Sequence, residues 1–417
     1  MTYEEAVLWL ESVPAFSVKR YDLDAVSRLL ERLGNPHKKL KYIHIAGTNG
    51  KGSTATFCSS SLSEAGLKTG LFTSPHILSY RERIQIDGRM ISKANLLKII
   101  EVVKPHVEFL ENNGIVCSNF DITTVIAMSH FYSNNCDIVV LEAGMGGRLD
   151  STNVILPPEV AILTHISRDH TSELGVDIAQ IAKEKAGILK PGSLCVCDRN
   201  QPAAVKNVVD SICLSKGVEL IYSHEPCAEV CDSTENVWIY GGVCYRTKLI
   251  GQHQISNAML AITALLKIGI NAKYIKRGIY FAHIPARLEK ICEDPLTILD
   301  GAHNPDGVTA LSKSLTLLKK TPLIGVVSML KTKDYRAALA KIKDRFDKLI
   351  ITEMDFDGAV SAECLFKAAT DLKFNALVEK NPQIAIKTAK NLAGRDGAVV
   401  LFGSLYFCSQ VRNILLD

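Results

Sequence analysis

The sequence predicts an α/β protein of two domains built on parallel sheets, and three observations carry that prediction. Short β-rich runs alternate with amphipathic helical stretches along most of the chain. The 417 residues exceed what one core usually holds, since 417/150 is roughly 2.8. A second strand–helix series begins at FAHIPARLE (281–289), which places the domain boundary at 284, between domains 1–284 and 285–417. Composition agrees: 47% hydrophobic and 22% charged residues describe a globular protein with ample core. A formal charge of +4, with no block of like charge, gives no nucleic-acid partner. The start MTYEEAVLWLESV is acidic and amphipathic, unlike a signal peptide, and no apolar run has the length of a membrane span. The twelve cysteines form no CxxC pair, so free thiols in a reducing cytoplasm are expected.

Two helical stretches open the chain, 4–11 and 21–33, the second ended by Gly34 and Pro36. Strand-like apolar runs follow at 42–46, 69–72, 137–141 and 160–164, each leading into a cluster of Gly, Ser, Asn or Asp. Residues 213–250 are less regular and lean towards β structure; a helix is expected over 256–266. The second series has strands at 296–299, 323–327, 348–352 and 398–402, with helices between them.

The chemistry sits at the strand ends. The loop Gly47-Thr48-Asn49-Gly50-Lys51-Gly52-Ser53 joins the first strand to a helix. Its glycines let backbone amides face a phosphate, the helix start adds partial positive charge, and Lys51 can reach terminal phosphates. Ser53 or Thr54 supplies a hydroxyl. The spacing departs from GxxxxGK[ST], because Ile45 takes the first glycine's place and Gly52 is inserted before Ser53. Glu142 closes the strand DIVVLE, where α/β sheets bind ligands and where magnesium takes carboxylates. His165, Asp169 and His170 follow another strand, which favours a metal reading over a structural one. Lys185 falls within the helical stripe Ile178, Ile181, Ala182, Ile188, Leu189. A lysine there is either paired or chemically altered, or its stem snorkels to the surface. Asp300 ends the strand TILD; His303, Asn304 and Asp306 follow, and a helix cap accounts well for Asn304 or Asp306.

In this order, GTNGKGS (47–53), TSPHILSYRERI (73–84), EAGMGGRLDSTN (142–153), THISRDHTSELG (164–175), EKAGI (184–188), GQHQISNA (251–258), PARLE (285–289) and LDGAHNPDG (299–307) resemble the Mur ligase superfamily. Within it they resemble the folylpolyglutamate synthase/dihydrofolate synthase family, the 73–84 loop marking the folate branch. The resemblance implies a Mur-ligase-like fold, in which a P-loop ATP-binding parallel-sheet domain precedes a smaller, glutamate-binding Rossmann-like α/β domain. It implies that Thr48, Asn49, Gly50, Lys51, Gly52 and Ser53 bind ATP phosphates, and that Asn257, Arg287 and Asp300 contact the nucleotide. Ser74, Glu142 and His170 match magnesium-holding positions, and Lys185 matches a carbamylated lysine that organises a second metal. Thr73, Pro75, His76, Arg81 and Arg83, with Asp150 and Asn153, match the pterin-facing set. His303 matches a residue near the glutamate acceptor, with Ser404 and Tyr406 beside it.

The implied reaction is a two-step amide ligation through an acyl phosphate, with Lys51, Lys185, Arg287 and His303 catalytic, and with closure of the domains assembling the site. The implied setting is a cytoplasmic monomer acting on small molecules, with no nucleic-acid or membrane partner, and with both folate and dihydropteroate as acceptors. Ala286 departs from the glycine usual in PGR-like segments; Arg168 and Lys331 also depart from the family pattern. Two rival readings are another Mur-type amino-acid ligase, which the 73–84 loop opposes, and a P-loop NTPase or regulator, which leaves Lys185 and GAHNPDG unexplained.

Overall fold

Runs such as YIHIA and IVVLE are buried along their whole length, which requires cover on both faces of a sheet. The structure, a computed structural model, describes residues 1–14 and 22–416. It divides into two compact units, Met1–Pro226 with Ser256–Ala282, and Cys227–Ile255 with His283–Asp417. The first unit holds eight strands: β1 Tyr42–Ala46, β2 Thr69–Phe72, β3 Ile84–Ile86, β4 Arg89–Met90, β5 Ile138–Glu142, β6 Val160–Leu163, β7 Leu194–Cys197 and β8 Glu219–Tyr222. Their order is β4-β3-β2-β5-β1-β6-β7-β8. All neighbours from β2 to β8 run parallel, and the short β3–β4 hairpin closes one edge antiparallel. The chain leaves β1 towards one edge and later returns through β5 to build the other. The C-terminal ends of β5, β1 and β6 therefore sit side by side at a topological switch point.

The second unit has a three-stranded antiparallel sheet, β9 Ala228–Cys231, β10 Asn236–Tyr240 and β11 Val243–Thr247. It also has a six-stranded one, β12 Glu289–Glu293, β13 Leu296–Asp300, β14 Leu323–Val327, β15 Lys348–Ile351, β16 Ala376–Val378 and β17 Ala398–Phe402, in the order β12-β13-β17-β14-β15-β16. Only β12 is antiparallel to its neighbour, and Asp300 and Phe402 pair at the ends of β13 and β17.

The division at 284 differs from the structure in that residues 227–255, with 283 and 284, go with the second unit. Ile250 is buried there in one core with Leu288, Leu296 and Ile298. The opening helices run Tyr3–Ser12 and Asp24–Arg32; Tyr21, where the second was expected to begin, lies outside the described residues. The expected 256–266 helix is longer, Gln252–Lys267. Twelve free thiols are seen, seven of them buried. Among the described residues no helix is long and apolar enough to cross a membrane.

Three histidines of the first unit are buried, His37, His44 and His130, at 3%, 0% and 4% exposure. Burial pushes His37 and His130 down to about 4 and His44 to about 3. Unfolded histidine takes a proton near pH 6.5, so below that the unfolded chain binds more protons than the folded one. Stability is then full above about pH 6.5 and declines as pH falls, by up to about 1.4 kcal/mol per pH unit per histidine. Thermal unfolding at pH 5 is expected well below that at pH 7.5; a flat profile would contradict these buried neutral rings.

Candidate functional site

The loop after β1 turns directly into the helix Lys51–Glu64. Thr48 and Asn49 amides donate to the His165 carbonyl at 2.9 and 3.3 Å, tying the loop to the segment after β6. Thr48 also exchanges two hydrogen bonds with the Ser167 backbone, each 3.0 Å. Gly50 has φ +88°, and a Cβ there would lie 2.1 Å from Asn257 Oδ1, so only glycine fits this approach. Asn257 is thereby placed at the loop. Lys51 Nζ donates back to the Thr48 carbonyl at 3.1 Å. Ser53 and Thr54 are buried in the first helical turn, Thr54 reaching the Asn257 carbonyl at 3.4 Å.

Two further groups converge here. The Glu142 carboxylate, 4% exposed, accepts from the Ser74 amide at 3.1 Å. A Cβ built on Gly52 would lie 3.6 and 3.8 Å from its two oxygens, so the carboxylate faces the first turn of the helix. Lys185 is 4% exposed, and its Nζ donates to the Gly47 carbonyl at 2.7 Å. That rules out snorkelling. Gly147 lets the backbone after β5 close on this helix end, since a Cβ there would be 2.7 Å from the Lys185 carbonyl. His170 caps the short helix Thr171–Leu174, its ring 40% exposed and 4.0 Å from Glu173. Among the described residues no three His, Cys, Asp or Glu side chains form a ready metal site. An oxygen-ligand cation that keeps waters and phosphate oxygens needs only one or two carboxylates, which Glu142 fits.

The 73–84 loop is internally tied. Thr73 N–H donates to the Arg83 carbonyl at 3.1 Å, Arg83 Nε to His76 Nδ1 at 2.9 Å, and Arg81 Nε to the Ile91 carbonyl at 2.7 Å. Burial, aided by the Arg83 cation, pushes His76 down to about 4; Pro75 is exposed. Asp150 turns inward: its carboxylate accepts from the Met145 and Thr152 amides at 2.8 and 3.1 Å and from the Thr152 hydroxyl. Burial pushes that carboxyl up. Asn153 donates to the Arg148 and Gly187 carbonyls, while its buried Oδ1 has no partner among the described residues. Lys190, which sequence reasoning missed, holds the Asn153 carbonyl at 2.7 Å and that of Ile155. Burial lowers it to about 8. Its only sequence signal is a cation beside a glycine turn.

In the second unit, Asp300 accepts from the Leu288 and Ala302 amides at 2.9 and 2.8 Å, and burial pushes its carboxyl up while Arg287 opposes this. Arg287 lies between Ala286 and Leu288, both left-handed at φ 54° and 46°. Glu289 accepts from the Ala286 amide at 2.9 Å and pairs with Arg412 at 2.8 Å, both side chains nearly buried. Sequence reading missed this pair. His303 Nδ1 donates to the Gly301 carbonyl at 2.8 Å. Asn304 caps the helix Pro305–Leu315. Ser404 is buried and accepts from the Tyr406 amide at 3.1 Å; the Tyr406 ring, 49% exposed, stacks on Phe356 at 4.5 Å.

Comparison with known proteins adds to this geometry. Residues 45–265 match the Mur ligase middle domain, and 286–405 match the Mur ligase glutamate ligase domain. The chain is 35% identical to the dihydrofolate synthase/folylpolyglutamate synthase of Bacillus subtilis, covering 99% of each chain. It is 32% identical to the folylpolyglutamate synthase of Lacticaseibacillus casei, covering 100% of this chain and 99% of that one. Among solved structures, the Mycobacterium tuberculosis folylpolyglutamate synthase complexed with ADP matches with a TM-score of 0.93 at 29% identity, covering 100% of this chain and 98% of that one. E. coli FolC in complex with DHPP and ADP matches at 0.87 and 27%, with the same coverage.

The left-handed Ala286 explains why glycine is usual at that place. A non-glycine residue there carries about 1–2 kcal/mol of strain, which exceeds the unfolded-state entropy that glycine adds. Ala286→Gly relieves that strain but gives up one fully buried methyl, so a rise in Tm of up to about 2 °C is expected. A fall in Tm would contradict this account of the loop.

Proposed function

The chain belongs to the folylpolyglutamate synthase/dihydrofolate synthase family of Mur ligases, and from that premise we propose how its own residues carry out ATP-dependent ligation of L-glutamate, on folate and on dihydropteroate alike. The single observation that carries the reading is convergence. Lys51, Glu142 with Ser74, Lys185 and Asn257 all meet the glycine loop at one sheet edge.

In the first step the acceptor's carboxylate attacks the γ-phosphate of ATP, giving an acyl phosphate and ADP. The amides of the 48–53 segment bind phosphate oxygens, and Lys51 swings from the Thr48 carbonyl to offset the growing charge. Ser74, Glu142 and His170 would hold magnesium, with Lys185 as its carbamate at a second site. Magnesium supplies charge neutralisation on the phosphates. Carbamylation turns a buried cation into an anionic oxygen donor, which suits an amine already enclosed at the Gly47 carbonyl.

In the second step the glutamate amine attacks the acyl carbon and expels phosphate. Its ammonium must first lose a proton. His303, its ring oriented by the Nδ1–H bond to the Gly301 carbonyl, is the candidate for that task. Arg287 and Asp300 serve the nucleotide, and Ser404 and Tyr406 the glutamate side. The loop 73–84, with Asn153 offering an Oδ1 unpartnered among the described residues, receives the pterin. Asp150 shapes the neighbouring 145–153 segment from within. The free thiols suit a cytoplasmic enzyme, and the reading needs only a monomer and small molecules.

The test is ADP release with Mg-ATP and L-glutamate, comparing dihydropteroate, tetrahydrofolate and no acceptor, with product masses taken from the same tubes. A glutamate-sized gain on both pterins is expected, and Lys51→Ala should lower it by about a hundredfold or more. Gain on tetrahydrofolate alone would remove the dihydropteroate activity. ADP release without any mass gain would contradict ligation.

A further inference from the structure

Within TSPHILSYRERI, three consecutive backbone amides turn towards one side chain. Ile77 N–H donates to Glu82 Oε2 at 2.7 Å, while Leu78 and Ser79 N–H both donate to Oε1 at 2.8 Å. Successive amides pointing inward make a concavity that suits an anion, and here the chain fills it with its own carboxylate. The Glu82 backbone is fixed in turn: its amide donates to the Ser79 carbonyl at 2.9 Å, and its carbonyl accepts from Gln85 Nε2 at 2.9 Å. At the other end of the segment, Glu142 takes the Ser74 amide. Residues 74–79 are thus stretched between two carboxylates. The next residue, Arg83, aims His76.

We propose that Glu82 is the positioning residue of the pteroyl-binding loop, its carboxylate setting the backbone path of 77–79 and through it the placement of Pro75 and His76 against the substrate. The inference rests on the pterin role given above to this loop. Glu82 touches no substrate; it acts through the amides it gathers. Without it three amides lose their common acceptor at once, and the path from His76 to Tyr80 loses its template. Ser74 keeps its own anchor on Glu142, and the glycine loop at 47–53 its own contacts, so nucleotide binding is expected to stay intact.

The experiment compares wild type, Glu82→Ala and Glu82→Gln, reading KM and kcat for tetrahydrofolate and dihydropteroate and the Kd of Mg-ADP by calorimetry. Glu82→Ala is expected to raise the pteroyl KM by between about tenfold and a hundredfold, with the ADP Kd within about twofold of wild type. Glu82→Gln keeps one carbonyl oxygen for two of the amides and should fall between the two. It decides the matter alone if the alanine variant does not fold. An unchanged pteroyl KM in the variants, or a parallel loss of ADP and pteroyl binding, would overturn the proposal. A wild-type protein that binds ADP but neither pterin would instead overturn the pterin role of the loop, which separates the two failures.

Discussion

Every feature of the nucleotide edge depends on how tightly the backbone between Gly47 and Lys51 is packed. The segment is held by the His165 carbonyl, by the Ser167 backbone, by Asn257 with no room for a Cβ on Gly50, and by Lys185 on the Gly47 carbonyl. Parallel strands β5, β1 and β6 bring these groups together, because their loops leave the sheet at neighbouring points. A loop fixed in this way presents its amides in advance, so a bound phosphate meets donors that need no reorganisation.

Carboxylates carry much of the remaining shape. Asp150, Asp300, Glu289 and Glu82 each accept from backbone amides of the loop they serve. Where such a group is deeply buried, as at Asp150 and Asp300, desolvation pushes its carboxyl up while the amide bonds pull it down. An acid at a loop in this protein is therefore a loop organiser. Glu142 takes the Ser74 amide and faces the helix start.

How much of this was legible in the sequence follows from the range of each interaction. Strands Tyr42–Ala46, Thr69–Phe72, Leu323–Val327 and Ala398–Phe402 fall where apolar runs end in glycine or serine clusters, since both faces of a parallel sheet are buried. The edge strands β4 and β12 escaped because the runs RM and EKICE are short and polar, and β3 because IQI is only three residues long. Residues 227–255 join the second unit through contacts far along the chain, for which periodicity has no signal. The Lys185 stripe left pairing and snorkelling open, and only three-dimensional placement on the Gly47 carbonyl decides between them. Ala286 stood out as a departure, yet its left-handed backbone and the Glu289–Arg412 pair that steadies it lie beyond any local pattern. Glu82 was within reach, because Ser79-x-x-Glu82 is a capping-box spacing.

The packing of the glycine loop is tested most directly by calorimetric titration of Mg-ADP into wild type and Gly50→Ala, with far-UV circular dichroism as the check on folding. The methyl group would sit against Asn257 Oδ1 in a left-handed backbone, moving the amides proposed to receive phosphate. A folded variant with ADP affinity weakened by about tenfold or more is expected. Equal affinity in the two proteins would contradict the claim that this close approach builds the nucleotide site.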